Sequence, residues 1–436
     1  MNIQDAYKEH IEARQNTTNQ TLESLGRKGL VIGAGALNYY CQDDRTVPFK
    51  SYHHFSHWCP LTGADHAIII EPGKTPTLLH HQPDDFWHEH LPLGTPHWVD
   101  SFEIKSFKNT QELWKAIESY KGYSYIGPEQ PKASSAGLDT DTQELEHHLN
   151  WHRSFKSNYE VQCIDRATDI AARGHRAAYE TFQAGGSELD IHLSYLKEAR
   201  ITDLDLPYNG IVAINEKAAV LHYEAKRDHP INGDVLLIDS GANYNGYASD
   251  ITRTYTARKA PQEFVDLVKV MNDGQISLCQ TIKPGLNFGE LQHNSHLMIG
   301  QILLDSGLIS GISKEEAYER GITRVFYPHG IGHMLGIFVH DVGGKQKNAK
   351  GDPLPADKKD GKLRTLRTIE PQFVFTVEPG LYFIDMLLNA HREGDTQKLF
   401  DWKLIDQLKP FGGIRIEDNL VVTNDGIKNI TRQYLP

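Results

Sequence analysis

The sequence predicts an α+β chain of two domains: a small N-terminal α/β domain over residues 1–157 and a larger C-terminal domain of helices and strands over 158–436. Three observations predict it. The chain has 436 residues, enough for two or three domains with large cores. Up to about residue 155, short apolar strands alternate with helical stretches. From about Asn158 the texture changes to long helices, then strands, then helices, then strands again.

The elements follow in order. AYKEHIEARQNTTNQTLESLG reads as a helix that stops at a glycine. GLVIGAGA and HAIIIEPG read as buried strands with glycine punctuation, ELWKAIESYKG as a helix, and YSYIGPEQ as a strand. NYEVQCIDRATDIAARGHRAAYETFQAGGSELDIHLSYLKEA reads as two helices broken at Gly185–Gly186. GIVAINEKAAVLHY, DVLLIDSGA and YASDITRTYT are expected as strands. EFVDLVKVMNDGQISLCQTI and GELQHNSHLMIGQILLDSG are expected as helices, and FVFTVEPGLYF and GIRIEDNLVVT close the chain as strands. The polar stretch from Gly343 to about Gln372 is expected as a long loop, the kind that often carries function.

Bulk properties exclude several classes. Net charge is −12, which argues against a nucleic-acid or anionic-membrane surface, since both select basic patches. No run of about 18 apolar residues occurs, so no membrane span is expected. The first residues, MNIQDAYKEHIEARQ, lack the apolar core of a secretory signal. Cys41, Cys59, Cys163 and Cys279 are scattered and unpaired in spacing, which points to a reduced, cytoplasmic setting with cysteines as small buried hydrophobes.

Five side chains are candidates for one binuclear metal site: Asp239, Asp250, His333, Glu378 and Glu417. Asp239 ends the apolar run VLLID, and an Asn-Gly turn signal separates it from Asp250. A turn centred on Tyr244 and Asn245 would set Asp239 directly opposite Asp250, with Cβ atoms ~5 Å apart. Two carboxylates on a mostly buried face repel, and a cation between them removes the conflict. In IRIED, Arg415 and Glu417 are two apart and share one face of a strand. PHGIGH spaces His329 and His333 like the histidines of a zincin helix. The required Glu is missing, however, and Gly330 and Gly332 disfavour a helix, so a glycine-rich loop carrying one ligand is expected. Four carboxylates balance two divalent ions, and a set with one imidazole and no thiolate favours Mn²⁺ or Co²⁺ over structural Zn²⁺. Two histidine-rich stretches, HHQPDDFWHEH at 80–90 and EHHLNWH at 146–152, are expected to be plain surface patches.

With DSGANYNGYASDITRT, HGIGHMLGIFVHDVGG, TVEPGLYF and PFGGIRIEDN in this order, the chain resembles the creatinase/aminopeptidase ("pita-bread") metallopeptidase superfamily. Within it the chain is similar to the bacterial Xaa-Pro dipeptidases, or prolidases, including those with organophosphorus acid anhydrolase activity. The superfamily pattern spans roughly 158–436, and the likeness to prolidases extends to YYCQDDRTVPFKSYHHFSHWCPL near the start. The resemblance implies a curved six-stranded sheet backed by helices, with two divalent ions per subunit, Mn²⁺ foremost, held by Asp239, Asp250, His333, Glu378 and Glu417. It implies hydrolysis of Xaa-Pro dipeptides by a metal-activated hydroxide. Glu378 would move the proton, His222 would stabilise the oxyanion, and His340 and Arg415 would hold the substrate's carbonyl or carboxylate end. His329 matches an outer-shell position. Tyr208, Leu221, Val339 and Leu363 match pocket walls, and Asp44 matches a position that approaches the neighbouring subunit's site in a homodimer. Hydrolysis of organophosphorus triesters is an implied side activity. An aminopeptidase P acting on longer peptides would use the same ligands, whereas a non-catalytic binding protein of this fold would have lost some of them. One departure is Gln372, where related sequences usually carry glycine.

Overall fold

The computed structural model describes residues 1–436 except 91, 231–232, 357–358 and 360–361. It divides into two compact units. One holds residues 1–153, 157–162 and 348–352; the other holds 154–156, 163–347 and 353–436.

The first unit is built on five strands: β1 (Leu30–Gly33), β2 (Ala67–Ile70), β3 (Thr77–His81), β4 (Glu103–Phe107) and β5 (Ser124–Ile126). Their order is β4-β3-β2-β1-β5, with β1∥β5 and β3∥β4 parallel and the other pairs antiparallel. The predicted first helix runs Ile3–Ser24. It ends as the sequence indicates, with Gly26 at φ +64°, a left-handed position that glycine adopts without penalty. Val31, Ile69, Leu79 and Tyr125 of the sheet pack on Leu113 and Ile117 of the helix Thr110–Ile117.

In the second unit the strands are β6 (Ile211–Ile214), β7 (Val235–Asp239), β8 (Asn243–Tyr244), β9 (Tyr247–Ala248), β10 (Thr252–Thr256), β11 (Val374–Val377), β12 (Gly380–Tyr382), β13 (Gly413–Arg415), β14 (Asp418–Val422) and β15 (Ile427–Asn429). Two open three-stranded sheets form, β10-β7-β6 and β11-β14-β15, with two-stranded ribbons β12-β13 and β8-β9. Among the described residues an isolated bridge, Thr252↔Glu417, ties β10 to the residue just before β14, where candidate ligands sit. The helices Gln262–Gln280 and Phe288–Asp305 supply the apolar backing through Phe264, Leu267, Met271, Ile299 and Leu303. The helices Asn158–Gln183 and Glu188–Ala199 flank the gap at Gly185–Gly186, as predicted.

Two expectations change. GIVAINEKAAVLHY is a strand only to Ile214. Asn215 takes φ +55°, its Oδ1 accepts from the Asp234 and Val235 N–H groups, and a 3₁₀ turn follows over Asn215–Ala219. The hairpin after β7 turns on Asn245 (φ +50°) and Gly246 (φ +85°), one residue later than expected, with Tyr244 paired to Tyr247. Asp239 therefore lies opposite Thr252, not Asp250. Of the predicted loop 343–372, residues 357–358 and 360–361 lie outside the described residues. No described helix is long and apolar enough to cross a membrane. Cys59, Cys163 and Cys279 are buried, Cys41 is exposed, and no disulfide joins any of them.

Candidate metal centre

Asp239 sits at the end of a strand whose five residues are all buried, so the apolar run VLLI fixes where its carboxylate emerges. Thr252 lies directly across, and Asp250, two residues earlier, falls on the same face as Asp239's diagonal neighbour. The Tyr208 hydroxyl lies 2.8 Å from Asp239 Oδ1 and 2.6 Å from Asp250 Oδ1. One O–H has one proton and cannot donate to both, so the two acids face each other with their charge unresolved. Thr252 Oγ1 donates to Glu417 Oε2 at 2.7 Å, and the Glu417 N–H bonds the Thr252 carbonyl at 3.0 Å.

The PHGIGH segment is the expected glycine-rich loop. It runs beside β11, with Thr376 N–H on the His333 carbonyl and Glu378 N–H on the Ile331 carbonyl. A β-carbon at Gly332 would collide with the Thr376 carbonyl, which explains glycine there. His333 Nδ1 bonds the Met334 carbonyl at 3.1 Å, which makes Nδ1 the protonated nitrogen and turns the Nε2 lone pair inward. Nε2 lies 3.4 Å from Asp250 Oδ2, 3.6 Å from Glu378 Oε1 and 4.0 Å from Glu417 Oε1. Asp250, His333 and Glu417 bring ligand atoms within 4.8 Å of one another.

The electrostatics test whether a cation fits. Burial raises the Asp250, Glu378 and Glu417 carboxyl groups well above the ordinary range, and the acids reinforce this: Asp239 acts on Asp250, Glu417 on Glu378, and Asp250 on Glu417. Burial holds His333 below its usual value, so its imidazole is neutral and free to ligate. Four clustered carboxyl groups with one inward-facing imidazole lone pair form an oxygen-rich set suited to hard or borderline divalent cations, whose charge would remove the repulsion.

Around this cluster lies a cavity of about 590 Å³. His222, His340, Tyr208, Leu221, Val339 and His329 all line it, as does Arg415. The His340 ring stands edge-on to His333, with centroids 4.3 Å apart. Arg415 is engaged on three sides: Nη2 bonds Asp239 Oδ2 at 2.6 Å, Nη1 the Tyr382 hydroxyl at 2.9 Å, and Nε Thr252 Oγ1 at 3.2 Å. His329 Nδ1 bonds the Gly330 carbonyl and Nε2 meets the Tyr382 hydroxyl at 2.9 Å. Leu363 is not on this cavity. It is 2% exposed, packs in the core with Ile331 and Met334, and backs Gly330 from behind. Asp44 is exposed in the first unit.

The sequence reading missed Tyr382, whose hydroxyl joins Arg415 to His329, Thr252, whose hydroxyl joins Arg415 to Glu417, and the cationic lining of Lys345, Lys362 and Arg364. Tyr382 sits four residues beyond Glu378, and that spacing was the available signal. The two histidine-rich stretches bring no three metal-ligand atoms together among the described residues. A second convergence, His10, His57 and Glu160 in the first unit, escaped notice because its members are far apart in sequence. Glu160 there accepts from the Ser157 N–H at 2.9 Å, as the acid of a capping box.

An oxygen-rich cluster of this kind is suited to divalent cations, as in metal-dependent hydrolases. Residues 162–424 match metallopeptidase family M24, and residues 5–151 match the N-terminal domain of Xaa-Pro dipeptidases. The chain belongs to metallopeptidase family M24, and that membership together with its Xaa-Pro dipeptidase relatives makes it a metallo-exopeptidase. Its curated relatives include the Xaa-Pro dipeptidase of Proteus mirabilis (strain HI4320), 42% identical over 98% of this chain and 97% of the relative, and that of Yersinia pestis (strain Pestoides F), 40% identical over the same shares. Among solved structures, proline aminopeptidase P II from Yersinia pestis superposes with a TM-score of 0.75 at 22% identity, over 100% of this chain and 97% of that one. Zinc-substituted Escherichia coli aminopeptidase P, in complex with product, gives 0.72 at 22% over 96% and 95%. These structures establish the pita-bread fold.

Proposed function

We propose that this chain hydrolyses Xaa-Pro dipeptides, using two divalent ions held by Asp239, Asp250, His333, Glu378 and Glu417, with Mn²⁺ the expected metal. The observation that carries the substrate is the cavity itself. It has small-molecule dimensions, and Lys345, Lys362 and Arg364 line it together with the acids. A dipeptide brings its free carboxylate within one residue of the scissile bond, where a cationic rim can hold it. An Xaa-Pro bond offers no N–H, so recognition has to come from the termini and the carbonyl.

Metal ions bound here supply Lewis-acid polarisation of the carbonyl and lower the pKa of coordinated water. The chain's own residues do the rest. Glu378 takes a proton from the attacking water and passes it to the leaving proline nitrogen. His222, exposed on the cavity wall, donates to the carbonyl oxygen as charge develops. Arg415 steadies Asp239, and Tyr382 joins Arg415 to His329. His340 and the rim arginine Arg364 hold the carboxylate end, where a guanidinium fork is well matched. Tyr208, Leu221 and Val339 form walls, and Leu363 supports the loop at Gly330 from the core.

The reading extends to a homodimer in which Asp44 approaches the partner's site, to a cytoplasmic setting, and to side hydrolysis of organophosphorus triesters. Sedimentation and a fluoride-release assay test the first and last. The decisive assay compares metal-loaded protein on Xaa-Pro dipeptides and Xaa-Pro tripeptides. Dipeptide turnover with tripeptides cut at least about tenfold less efficiently (~1.4 kcal/mol) is expected. Efficient tripeptide cleavage with inert dipeptides would establish an aminopeptidase P activity instead.

A further inference from the structure

The segment Met334–Asp341, MLGIFVHD, presents Val339 and His340 to the cavity yet forms neither helix nor regular strand. Its closure rests on a few backbone bonds. Asp341 N–H bonds the Met334 carbonyl at 2.8 Å, Gly336 N–H the Phe338 carbonyl at 3.0 Å, and Leu335 N–H the Val374 carbonyl at 2.9 Å. One ion pair is added. Lys156 Nζ lies 3.0 Å from Asp341 Oδ2, and the two side chains are 0% and 1% exposed. The Lys156 N–H in turn bonds the Gln372 carbonyl at 2.8 Å. The turn is packed tightly around the pair: a β-carbon at Gly336 would collide with the Asp341 carboxylate and press on Lys156 Cε.

A fully buried lysine–carboxylate pair is a poor stabiliser, because desolvation offsets the attraction and an apolar pair of similar volume usually holds a fold as well. What the pair does provide is a fixed direction for Asp341. The residue before it is His340, whose ring stands against His333. We propose that Lys156 and Asp341 are positioning residues for the hydrolysis: their buried ion pair fixes the turn that places His340 against the substrate. The proposal rests on the reading of His340 as a substrate contact.

The test uses the full-length, metal-loaded protein and an Xaa-Pro dipeptide. Lys156→Met combined with Asp341→Leu replaces the pair by an apolar one. Metal content and thermal midpoint stay near wild type, while KM rises about tenfold and kcat changes less. His340→Ala raises KM comparably, and adding it to the apolar pair multiplies KM by less than about twofold, because both act through one contact. An unchanged KM in the apolar-pair variant overturns the proposal, and so do fully multiplicative effects in the combined variant. A wild-type KM in His340→Ala overturns the reading of His340 and the proposal with it, which separates the two failures. If the apolar pair does not fold, Asp341→Asn, which preserves size, carries the same comparison.

Discussion

Asp239 and Glu417 show how single residues make this centre. Each is anchored by a neutral or cationic partner, Arg415 for Asp239 and Thr252 for Glu417, while their other oxygens face the cluster. Asp239→Asn or Glu417→Gln keeps the shape and removes one charge. Metal content measured by elemental analysis should fall, and dipeptide turnover should drop at least about 100-fold. Wild-type metal content in either variant contradicts the assignment. Gln372 gives a prediction away from the site. It sits at φ +72°, a left-handed conformation that strains any residue with a β-carbon. Its exceptional status was legible in the sequence as a departure from glycine, but its reason was not, because φ is set by the bonds its neighbours make. Gln372→Gly should raise stability by about 0.5 kcal/mol, strain relief outweighing the added freedom of the unfolded chain, and a denaturant titration reads it.

At the scale of elements, the ligand-bearing segments were legible and their register was not. VLLID, PHGIGH, TVEPG and IRIED announce buried strands or glycine loops leading to a candidate ligand, and β7, β11 and β13 are buried strands that stop at or just before such a residue. The hairpin was displaced by one residue because Asn-Gly prefers the two central positions of a turn with φ positive at both, which moves the axis to Asn245–Gly246. Thr252 consequently takes the place opposite Asp239 and becomes the link to Glu417. The N-terminal elements carry their own pH behaviour. Burial lowers His10 to about 4 and His57 and His66 to about 3, from 6.5. A histidine depressed in the fold is protonated first in the unfolded chain, so stability is intact above about pH 6.5 and declines as pH falls toward the folded values. At pH 5 the fully buried His10 and His57 should each remove about 2 kcal/mol. Hydrogen exchange between pH 7 and 5 should show the elements of the first unit opening, and unchanged protection at pH 5 would count against this.

For the whole molecule, the acid cluster has the opposite sign. Asp250, Glu378 and Glu417 have raised folded values, so the folded chain binds more protons than the unfolded one. Their burden on stability begins as pH rises past about 4, the unfolded carboxylate range, and grows toward the folded values. Bound cations cancel it. The gain in thermal midpoint on adding Mn²⁺ to chelator-treated protein should therefore increase from pH 5 to pH 8 beyond what ligand deprotonation at His333 alone gives, and Glu417→Gln should flatten that rise. A pH-independent gain would show that the cluster is not where the metal binds. The change of texture near Asn158 suggests a boundary there, whereas the two compact units are discontinuous in sequence, with 157–162 and 348–352 grouped with residues 1–153. The convergence of candidate ligands from residues 239 to 417 came from the family resemblance, since no local pattern encodes contacts across such separations. The central claim, that five residues hold two ions which drive Xaa-Pro dipeptide cleavage, is tested most directly by titrating Mn²⁺ into metal-free protein while following dipeptide hydrolysis. Activity should climb and level off at two equivalents per chain. A plateau at one equivalent, or full activity with none, would contradict the claim.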